Sequence, residues 1–130
     1  MRGGGGRDIL SGGTGDDIIC GGKGLDTMSG GSDADIFKFN KISHSPNSTN
    51  RDTIQDFNAA EDVIDLNKII PWSLSFIGAN AFKITGAGEV NYTVEGNNGI
   101  IQVDSDGNGV VDMQIKVKNV TFFTEFDFLL

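Results

Sequence analysis

Along the first forty residues, polar turn-forming positions and single apolar positions alternate with a period of nine residues. The four copies cover residues 3–11, 12–20, 21–29 and 30–38 and read GGGGRDILS, GGTGDDIIC, GGKGLDTMS and GGSDADIFK. Glycine fills the first two positions of every copy, the sixth position is always aspartate and the eighth is always apolar. A disordered linker has no reason to keep aspartate and an apolar residue in phase over four copies, so the pattern indicates a folded repeat.

The spacing within each copy predicts a turn followed by a strand. The glycine-rich half suits a tight turn, because glycine adopts positive φ at no steric cost. The last three residues suit a short strand in which only the middle side chain points inwards, and these side chains are Leu10, Ile19, Met28 and Phe37. Two copies then complete one coil of 18 residues, and stacked coils form a short parallel β-roll with a thin apolar core.

The sixth-position aspartates fall into two columns in such a roll. Asp8 lies one coil before Asp26, and Asp17 lies one coil before Asp35. Carboxylates stacked at strand spacing repel each other, and turn carbonyls freed by glycine point into the same gap. Oxygen ligands of irregular geometry favour Ca²⁺ over Mg²⁺ or Zn²⁺. Because the core is thin, we expect calcium binding to be coupled to folding.

The copies resemble the GGxGxDxUx nonapeptide of the RTX (repeats-in-toxin) family, in which U is apolar. In that family, calcium takes carbonyl oxygens from the second and fourth positions of one turn and the first and third positions of the turn one coil later. The sixth-position aspartates of both turns complete the ligand set. By this resemblance the first site comprises Gly4, Gly6, Asp8, Gly21, Lys23 and Asp26. The second site comprises Gly13, Gly15, Asp17, Gly30, Ser32 and Asp35.

Residues 51–69, RDTIQDFNAAEDVIDLNKI, contain two strand-like stretches around a turn. The pattern predicts core positions at Ile54, Phe57, Ile64 and Leu66, with outward positions at Asp52, Asp56, Asp62 and Asp65. The segment resembles the one that follows the repeats in serralysin-type secreted metalloproteases, type I lipases and mannuronan epimerases, where it caps the coil. That resemblance implies a third calcium site in which Asp56 and Asp62 join Asp35. A solvated acidic turn is the alternative.

The segment between the repeats and this cap, residues 38–51, is rich in polar residues and contains a proline. It predicts an exposed excursion that carries the single histidine, His44, into solvent.

Residues 72–130 contain stretches that predict antiparallel strands, namely SLSFIG, AFKITG, EVNYTVEG, GIIQVDS and VVDMQIKVKNV. Alternation places Val90, Tyr92 and Val94, and likewise Met113, Ile115 and Val117, in the core. The expected fold class is therefore all-β, with a parallel β-roll over 3–38 and an antiparallel, sandwich-like capping domain over 39–130.

Residues 104–112, DSDGNGVVD, match the first half of an EF-hand loop at Asp104, Asp106, Asn108 and Gly109. The glutamate that an EF-hand needs at the twelfth position is replaced by Ile115, and the flanks are strand-like rather than helical. We therefore interpret the stretch as a hairpin turn, and whether it holds an ion stays open.

The chain ends with Asp127, Phe128, Leu129 and Leu130. This ending is similar to that of serralysins and lipases exported by type I (ABC) exporters, which close on an acidic residue and three hydrophobic ones. The same residues also suit a last strand, and the two interpretations apply to different states of the chain.

Composition limits the classes of partner that the chain can bind. Ten basic and eighteen acidic residues give a net charge of −8, which argues against nucleic acid as a partner. No apolar run approaches the roughly 18 residues of a membrane span, and no signal peptide is visible. The single cysteine, Cys20, has no partner for an internal disulfide.

The resemblance implies the calcium-binding, secretion-directing C-terminal domain of a larger extracellular bacterial protein, with further domains upstream. As a hypothesis, the chain stays unfolded where calcium is scarce, a type I exporter reads its C-terminus, and roughly millimolar calcium outside drives folding.

Two other function classes remain. A polysaccharide-binding module, similar to the repeat modules of alginate epimerases, needs a basic groove, whereas the lysines here are scattered along an acidic chain. An enzyme needs catalytic residues, and the chain has neither an HExxH nor a GxSxG motif. Any catalytic part, such as a metalloprotease, is therefore expected elsewhere in the parent protein.

Overall fold

In the computed structural model, which describes residues 1–47 and 49–130, regular structure consists almost entirely of short strands. The repeats contain β1 (Arg2–Gly6), β2 (Ile9–Thr14), β3 (Ile18–Gly24), β4 (Thr27–Ser32) and β5 (Ile36–Lys38). The following part contains β6 (Asp52–Ile54), β7 (Val63–Asp65), β8 (Ser75–Phe76), β9 (Glu89–Glu95), β10 (Asn98–Asp104), β11 (Met113–Val117) and β12 (Phe128–Leu129). Two short 3₁₀ helices span Ile42–His44 and Glu125–Asp127.

Two sheets form the molecule, and successive strands of the repeats alternate between them. One sheet has five parallel strands in the order β1-β3-β5-β7-β12. The other has seven strands in the order β2-β4-β6-β11-β10-β9-β8, of which the first four are parallel. This alternation is that of a parallel β-roll, so the predicted fold class is confirmed.

The core is built from two ladders of inward-facing side chains, one on each sheet. Leu10, Met28, Ile54 and Val117 are in register along the seven-stranded sheet. Ile19, Phe37, Ile64 and Phe128 are in register along the five-stranded sheet. All are buried except Leu10, which packs against the core while partly exposed. The preceding seventh positions point outwards, so that Ile9 is 84% exposed.

The glycine-rich halves of the copies belong to the strands as well as to the turns. The parallel ladder runs from Arg2 to Gly6 and from Ile9 to Thr14, so these strands are longer than the expected three residues. The second and fourth positions of the first three copies are glycines with positive φ, for example Gly4 at 105° and Gly6 at 112°. Asp33 takes the fourth position of the last copy with φ of 77°, a conformation that aspartate tolerates better than most non-glycine residues.

Both sheets continue past the fourth copy. β6 pairs with β4, and β7 pairs with β5, so residues 52–65 add one more coil. β11 and β12 then extend the two sheets by a further strand each, although they lie far along the chain. The division into units at residue 38 stays a prediction.

The antiparallel part consists of β9, β10 and β11, joined by two hairpins. Met113, Ile115 and Val117 are completely buried, as predicted, and so are Val90 and most of Tyr92. The prediction that Val94 is a core residue is wrong, because the end of this hairpin projects into solvent and leaves Val94 50% exposed. The predicted strand AFKITG is also absent: within it, only Ile84 forms an isolated bridge, to Asn108.

The excursion between β5 and β6 is less exposed than expected. Phe39 and Ser45 are buried within it, and Pro46 bridges to Met113. His44 was expected in solvent, but it is half-buried against the roll. Ser48 lies outside the described residues. Nowhere in the described residues is there a helix with the length and apolar character to cross a membrane.

Candidate metal centres

Six aspartates form two hydrogen-bonded columns, one on each flank of the roll. In the first column, Asp8 N–H donates to Asp26 Oδ1 and Asp26 N–H donates to Asp52 Oδ1, each over 2.9 Å. In the second column, Asp17 N–H donates to Asp35 Oδ1 over 2.9 Å and Asp35 N–H donates to Asp62 Oδ1 over 3.0 Å. Four of the six carboxylates, those of Asp26, Asp52, Asp35 and Asp62, therefore reach back to the backbone of the preceding coil.

In five of the six cases, the second oxygen of the carboxylate is buried and has no hydrogen-bond partner among residues 1–47 and 49–130. The five atoms, which we call the orphaned oxygens, are Oδ2 of Asp8, Asp26 and Asp52 in the first column and of Asp17 and Asp35 in the second. Asp62 is the exception, because its Oδ2 accepts a hydrogen bond from Asn58 N–H over 2.8 Å. A buried carboxylate oxygen without a donor is strongly unfavourable unless a cation compensates it.

The first glycine of each copy makes room for the orphaned oxygen. A Cβ on Gly3 would lie 2.6 Å from Asp8 Oδ2 and 2.6 Å from the carbonyl oxygen of Gly21. A Cβ on Gly12 would lie equally close to Asp17 Oδ2 and the carbonyl oxygen of Gly30. Carboxylate and carbonyl oxygens of consecutive coils thus converge beside these glycines, and any side chain there would displace them.

Burial raises the pKa of three of the column aspartates, Asp26, Asp35 and Asp52. It raises the pKa of Asp26 and of Asp35, and nearby carboxylates add to the effect at both. It raises the pKa of Asp52 most clearly, to about 7. On the first flank, burial also lowers the pKa of His44, with a further contribution from Lys41. These directions mean that the fold disfavours ionised carboxylates in the absence of a compensating charge.

The structure brings the predicted ligands of the first two sites close to one another. Gly4 pairs with Gly22, and Gly5 pairs with Lys23, which places the turns that carry Asp8 and Asp26 side by side. Gly13 pairs with Gly31, and Thr14 pairs with Ser32, beside Asp17 and Asp35. The Gly6 carbonyl also accepts a hydrogen bond from Leu25 N–H over 3.2 Å. The ligand sets themselves stay predictions.

The aspartates proposed for a third site also converge. Asp62 is hydrogen bonded to Asp35, and Asp56 accepts hydrogen bonds from Gly30 N–H over 2.9 Å and Gly31 N–H over 3.1 Å. The negative charges of Asp56 and Asp62 contribute to raising the pKa of Asp35. That this third group holds an ion stays a prediction.

Sequence reasoning missed Asp52 as the third member of the first column. The expectation that Asp52, Asp62 and Asp65 face outwards is wrong, because all three are buried. The signal was present in the sequence. The stretches RDTI and EDVI have aspartate at their second position and an apolar residue at their fourth, which is the pattern of positions five to eight of each nonapeptide. These two stretches are the turn-to-strand halves of a further coil whose glycine-rich halves are replaced.

The 104–112 turn also gathers carboxylates. Ligand atoms of Asp104, Asp106 and Asp112 lie within 4.8 Å of one another. Asp104 accepts hydrogen bonds from Gly107 N–H and Gly109 N–H, and Asp112 accepts one from Ser105 N–H. Unlike the orphaned oxygens, these carboxylates have backbone donors, as an acidic hairpin turn without an ion does.

The donor set of the columns fits a hard divalent cation. The converging atoms are carboxylate and carbonyl oxygens, and the orphaned oxygens are buried and without a donor. Calcium accepts six to eight such oxygens in irregular geometry, whereas Zn²⁺ favours nitrogen and sulfur ligands.

Comparisons with known proteins agree with this architecture. The family model described as peptidase M10 serralysin C terminal matches residues 5–130. Among solved structures, the AlgE6R2 subunit of the Azotobacter vinelandii mannuronan C5-epimerase superposes with a TM-score of 0.74 at 24% identity, over 100% of this chain and 80% of that one. The AlgE6R3 subunit of the same epimerase gives 0.60 at 23% identity, over 89% and 72%. These identities establish a shared fold. No curated protein matches the chain.

Proposed function

The chain belongs to the peptidase M10 serralysin C-terminal family, and from this premise we propose that it is a calcium-binding domain that folds on Ca²⁺ and directs type I secretion of a larger extracellular protein. The family is one of non-catalytic repeat modules, so any catalysis resides in another part of the parent protein, such as a serralysin-like metalloprotease.

The orphaned oxygens carry the calcium part of the proposal. Five buried carboxylate oxygens without donors lie in two columns, and no cationic side chain hydrogen bonds to them in the described residues. Ca²⁺, when bound, supplies the positive charge that lets neighbouring carboxylates stay ionised together. The chain's own part is to aim carboxylates and turn carbonyls of consecutive coils at one gap.

Folding is coupled to calcium because little else holds the roll together. The repeat region contributes a single file of inward residues to each sheet, with Leu10 still partly exposed. Sites of modest affinity, about 10⁻⁴–10⁻³ M, stay empty in the cytosol and fill outside the cell. A ligand that binds only the folded state stabilises that state by mass action.

The secretion part concerns the last four residues, which the folded domain uses internally. Asp127 is 4% exposed and accepts a hydrogen bond from Thr124 N–H over 2.6 Å. Phe128 is buried against Phe76 and Phe123, and β12 pairs with β7. An exporter that reads these side chains therefore needs the unfolded chain. We infer that the calcium-free state presents the signal and that the folded state withdraws it.

Calcium titration followed by far-ultraviolet circular dichroism tests the first part. Addition of a chelator is expected to abolish most of the β signal, and Ca²⁺ but not equimolar Mg²⁺ is expected to restore it. A spectrum unchanged by chelation would reject calcium-dependent folding.

Export of a reporter fused upstream of the chain tests the second part. Removal of residues 127–130 is expected to abolish export through a type I exporter. The double variant Asp26→Ala/Asp35→Ala, which cannot fold on calcium, is expected to be exported normally. Equal export with and without residues 127–130 would contradict the signal while leaving the calcium proposal intact.

A second candidate function is binding of an acidic polysaccharide, as in an alginate epimerase-like repeat module. The observation that favours it is a cleft lined by two cationic side chains, Arg7 and Lys23, which form no ion pair within residues 1–47 and 49–130. Titration with alginate oligomers tests this function, and absence of binding at millimolar oligomer would reject it.

A further inference from the structure

The excursion between β5 and β6 is tied to β11 by a short stretch, residues 45–47, which we call the strap. Gln114 N–H donates a hydrogen bond to the Ser45 carbonyl oxygen over 3.1 Å, and the Ser45 hydroxyl donates to the Gln114 carbonyl oxygen. Asn47 Nδ2 donates to the carbonyl oxygen of Val111, just before β11, over 2.9 Å. The partners in these contacts are 64 to 69 residues apart in the chain, so the strap is held by tertiary structure and not by a local turn.

The Ser45 hydroxyl also closes the first aspartate column. In the earlier layers, the N–H group of each aspartate donates to a carboxylate one coil later, as Asp26 N–H does to Asp52 Oδ1 over 2.9 Å. Asp52 N–H instead donates to Ser45 Oγ over 2.7 Å. Ser45 is 0% exposed, so solvent does not compete for this hydrogen bond.

The second column closes within its own turn. Asp62 N–H donates to the carbonyl oxygen of Asn58 over 2.8 Å, and Asn58 N–H donates to Asp62 Oδ2 over 2.8 Å. The turn before β7 therefore positions the last carboxylate of the second column by itself. The last carboxylate of the first column, in contrast, depends on a strap that lies on a distant strand.

On the first flank, the hydrogen bonds form one continuous chain from the first layer to β11. Asp8 N–H donates to Asp26, Asp26 N–H to Asp52, Asp52 N–H to the Ser45 hydroxyl, and that hydroxyl to Gln114. A hydroxyl suits this position because it accepts and donates at once, whereas an ionised carboxylate only accepts. It also adds no negative charge beside Asp52, whose Oδ2 is buried without a partner in the described residues.

We propose that Ser45 is a positioning residue for calcium on the first flank, because its hydroxyl fixes Asp52 and, through Asp52, the backbone of Asp26. The proposal rests on the calcium binding proposed above. Ligands that are held in place before binding lose less conformational freedom when the ion binds, and the site is then tighter. Without the strap, Asp52 N–H loses its buried acceptor and the layer that holds Asp26 loosens.

Such a coupling is reciprocal, because two events that favour one state favour each other to the same extent. Calcium on the first flank therefore promotes docking of the strap on β11. Since β11 also pairs with β6, filling of the first flank favours attachment of the antiparallel part to the roll. Filling of the second flank has no such route, because that column closes in its own turn.

Calcium titration of the isotope-labelled chain, followed by amide signals in nuclear magnetic resonance, tests the proposal. Trimethylamine N-oxide, an osmolyte that favours burial, keeps the calcium-free chain folded, so binding is measured separately from folding. The amides of Asp8 and Asp26 report on the first flank, and those of Asp17 and Asp35 on the second. In Ser45→Ala, we expect the calcium concentration at half saturation to rise about tenfold on the first flank and less than about twofold on the second, because only the first flank loses a buried acceptor.

The matched control is Asn47→Ala, which removes another side-chain hydrogen bond of the strap without touching Asp52. Asn47 is exposed, and its replacement is expected to change the half-saturation concentration by less than about twofold on either flank. Ser45→Cys is the milder variant for the case that Ser45→Ala does not fold in the osmolyte. Its thiol donates and accepts weakly, so we expect a rise of about threefold on the first flank alone.

Three results would overturn the proposal. They are an equal rise on both flanks in the Ser45 variants, an unchanged first flank in these variants, and an equal rise on the first flank in Asn47→Ala. The unsubstituted chain separates this proposal from the calcium proposal. Amides that ignore calcium on both flanks reject calcium binding itself, whereas a normal response without a difference between the flanks in Ser45→Ala rejects only the role of Ser45.

Discussion

The two flanks of the roll contain the same aspartate ladder in different surroundings. The first column, Asp8–Asp26–Asp52, lies beneath the excursion and beside Arg7 and Lys23. The second column, Asp17–Asp35–Asp62, lies beside further acids, and two of these make hydrogen bonds between coils. Asp33 accepts from Gly15 N–H over 3.0 Å and Asp16 accepts from Ala34 N–H over 3.1 Å.

The columns also end differently. On the first flank, Asp52 pairs in register with Ile115 of β11, and its Oδ2 is buried without a hydrogen-bond partner in the described residues. On the second flank, Asp62 has donors for both oxygens. The comparison shows that the repeat determines the positions of the carboxylates. The segments after the repeat determine whether the last carboxylate of each column has hydrogen-bond donors for both oxygens or needs a cation.

The largest expected effect comes from the middle of each column. Asp26→Ala and Asp35→Ala each remove a carboxylate that holds the preceding coil and lies between two others. The lost hydrogen bond to a charged acceptor alone costs about 1.5–3 kcal/mol, and calcium coordination is lost with it. We expect neither variant to gain β signal at millimolar calcium.

The control for that experiment is Asp106→Ala, which alters an exposed acid in the hairpin turn. It is expected to leave calcium-dependent folding intact. Normal folding of only one middle variant would show that one flank suffices.

Replacement of the last aspartate of each column by asparagine is expected to change the free energy of unfolding in opposite directions. Asp52→Asn keeps an oxygen for Asp26 N–H and removes an orphaned charge, so the calcium-free protein should gain about 1–2 kcal/mol in free energy of unfolding at pH 8. Asp62→Asn places either an NH₂ group or a weaker acceptor opposite each of two backbone donors, Asp35 N–H and Asn58 N–H. The free energy of unfolding should therefore fall by a similar amount. Because the calcium-free chain is expected to be largely unfolded, both variants are first folded in chelator with trimethylamine N-oxide, an osmolyte that favours burial. Urea unfolding under these conditions measures both shifts, and shifts of the same sign would refute the difference between the ends.

The pH dependence of stability should also reveal the need of Asp52 for a compensating charge. Since burial raises the pKa of Asp52 to about 7, its contribution to calcium-free stability is full below the unfolded pKa of about 4 and is lost as the pH rises through about 7. In chelator with the same osmolyte, which keeps the calcium-free chain folded, we therefore expect the melting temperature to fall from pH 4.5 to pH 8, and less steeply in Asp52→Asn. With calcium the trend should reverse, because protonated carboxylates do not bind the ion. A calcium-free protein equally stable at pH 4.5 and pH 8 would contradict the burial argument.

The smallest effect is expected at the outer acids of the second flank. Asp33→Asn keeps a residue that tolerates positive φ and removes one exposed charge. It should stabilise the calcium-free protein by less than about 0.5 kcal/mol. Chemical denaturation in chelator with the same osmolyte measures this change. The variant Asp33→Ala, which is strained at this φ, is measured in parallel and distinguishes the effect of the charge from that of the backbone. Equal destabilisation by both substitutions would mean that the hydrogen bond from Gly15 N–H dominates.

The repeat region could be predicted because its information is local. A turn, an aspartate and an inward apolar residue recur every nine positions, so the roll and the pairs Asp8–Asp26 and Asp17–Asp35 follow from the printed sequence. The backbone pairing of the glycine-rich halves was missed. The pattern shows which residues permit positive φ, but it does not show that the turns of consecutive coils form strand pairs.

The cap could be predicted only in part because its information is distant. Asp52 pairs with Ile115, and Ile64 pairs with Phe128, across long stretches of chain. Local alternation in AFKITG and at Val94 indicated strand and core, but burial there depends on whether the opposite sheet extends that far. Likewise, the cleft arises from Arg7 and Lys23 meeting an excursion whose path no local pattern specifies.

The direction of the column hydrogen bonds has a consequence for how the roll comes apart. Asp8 and Asp17 donate to carboxylates one coil later, which in turn are held by Asp52 and Asp62. In these columns each layer therefore receives its carboxylate acceptor from its C-terminal neighbour, whereas in the other direction the neighbour's N–H groups donate to backbone carbonyls, as Thr27 N–H does to Asp8. Amide protection against deuterium should accordingly climb from the first layer to the last, and fraying should start at the N-terminal end.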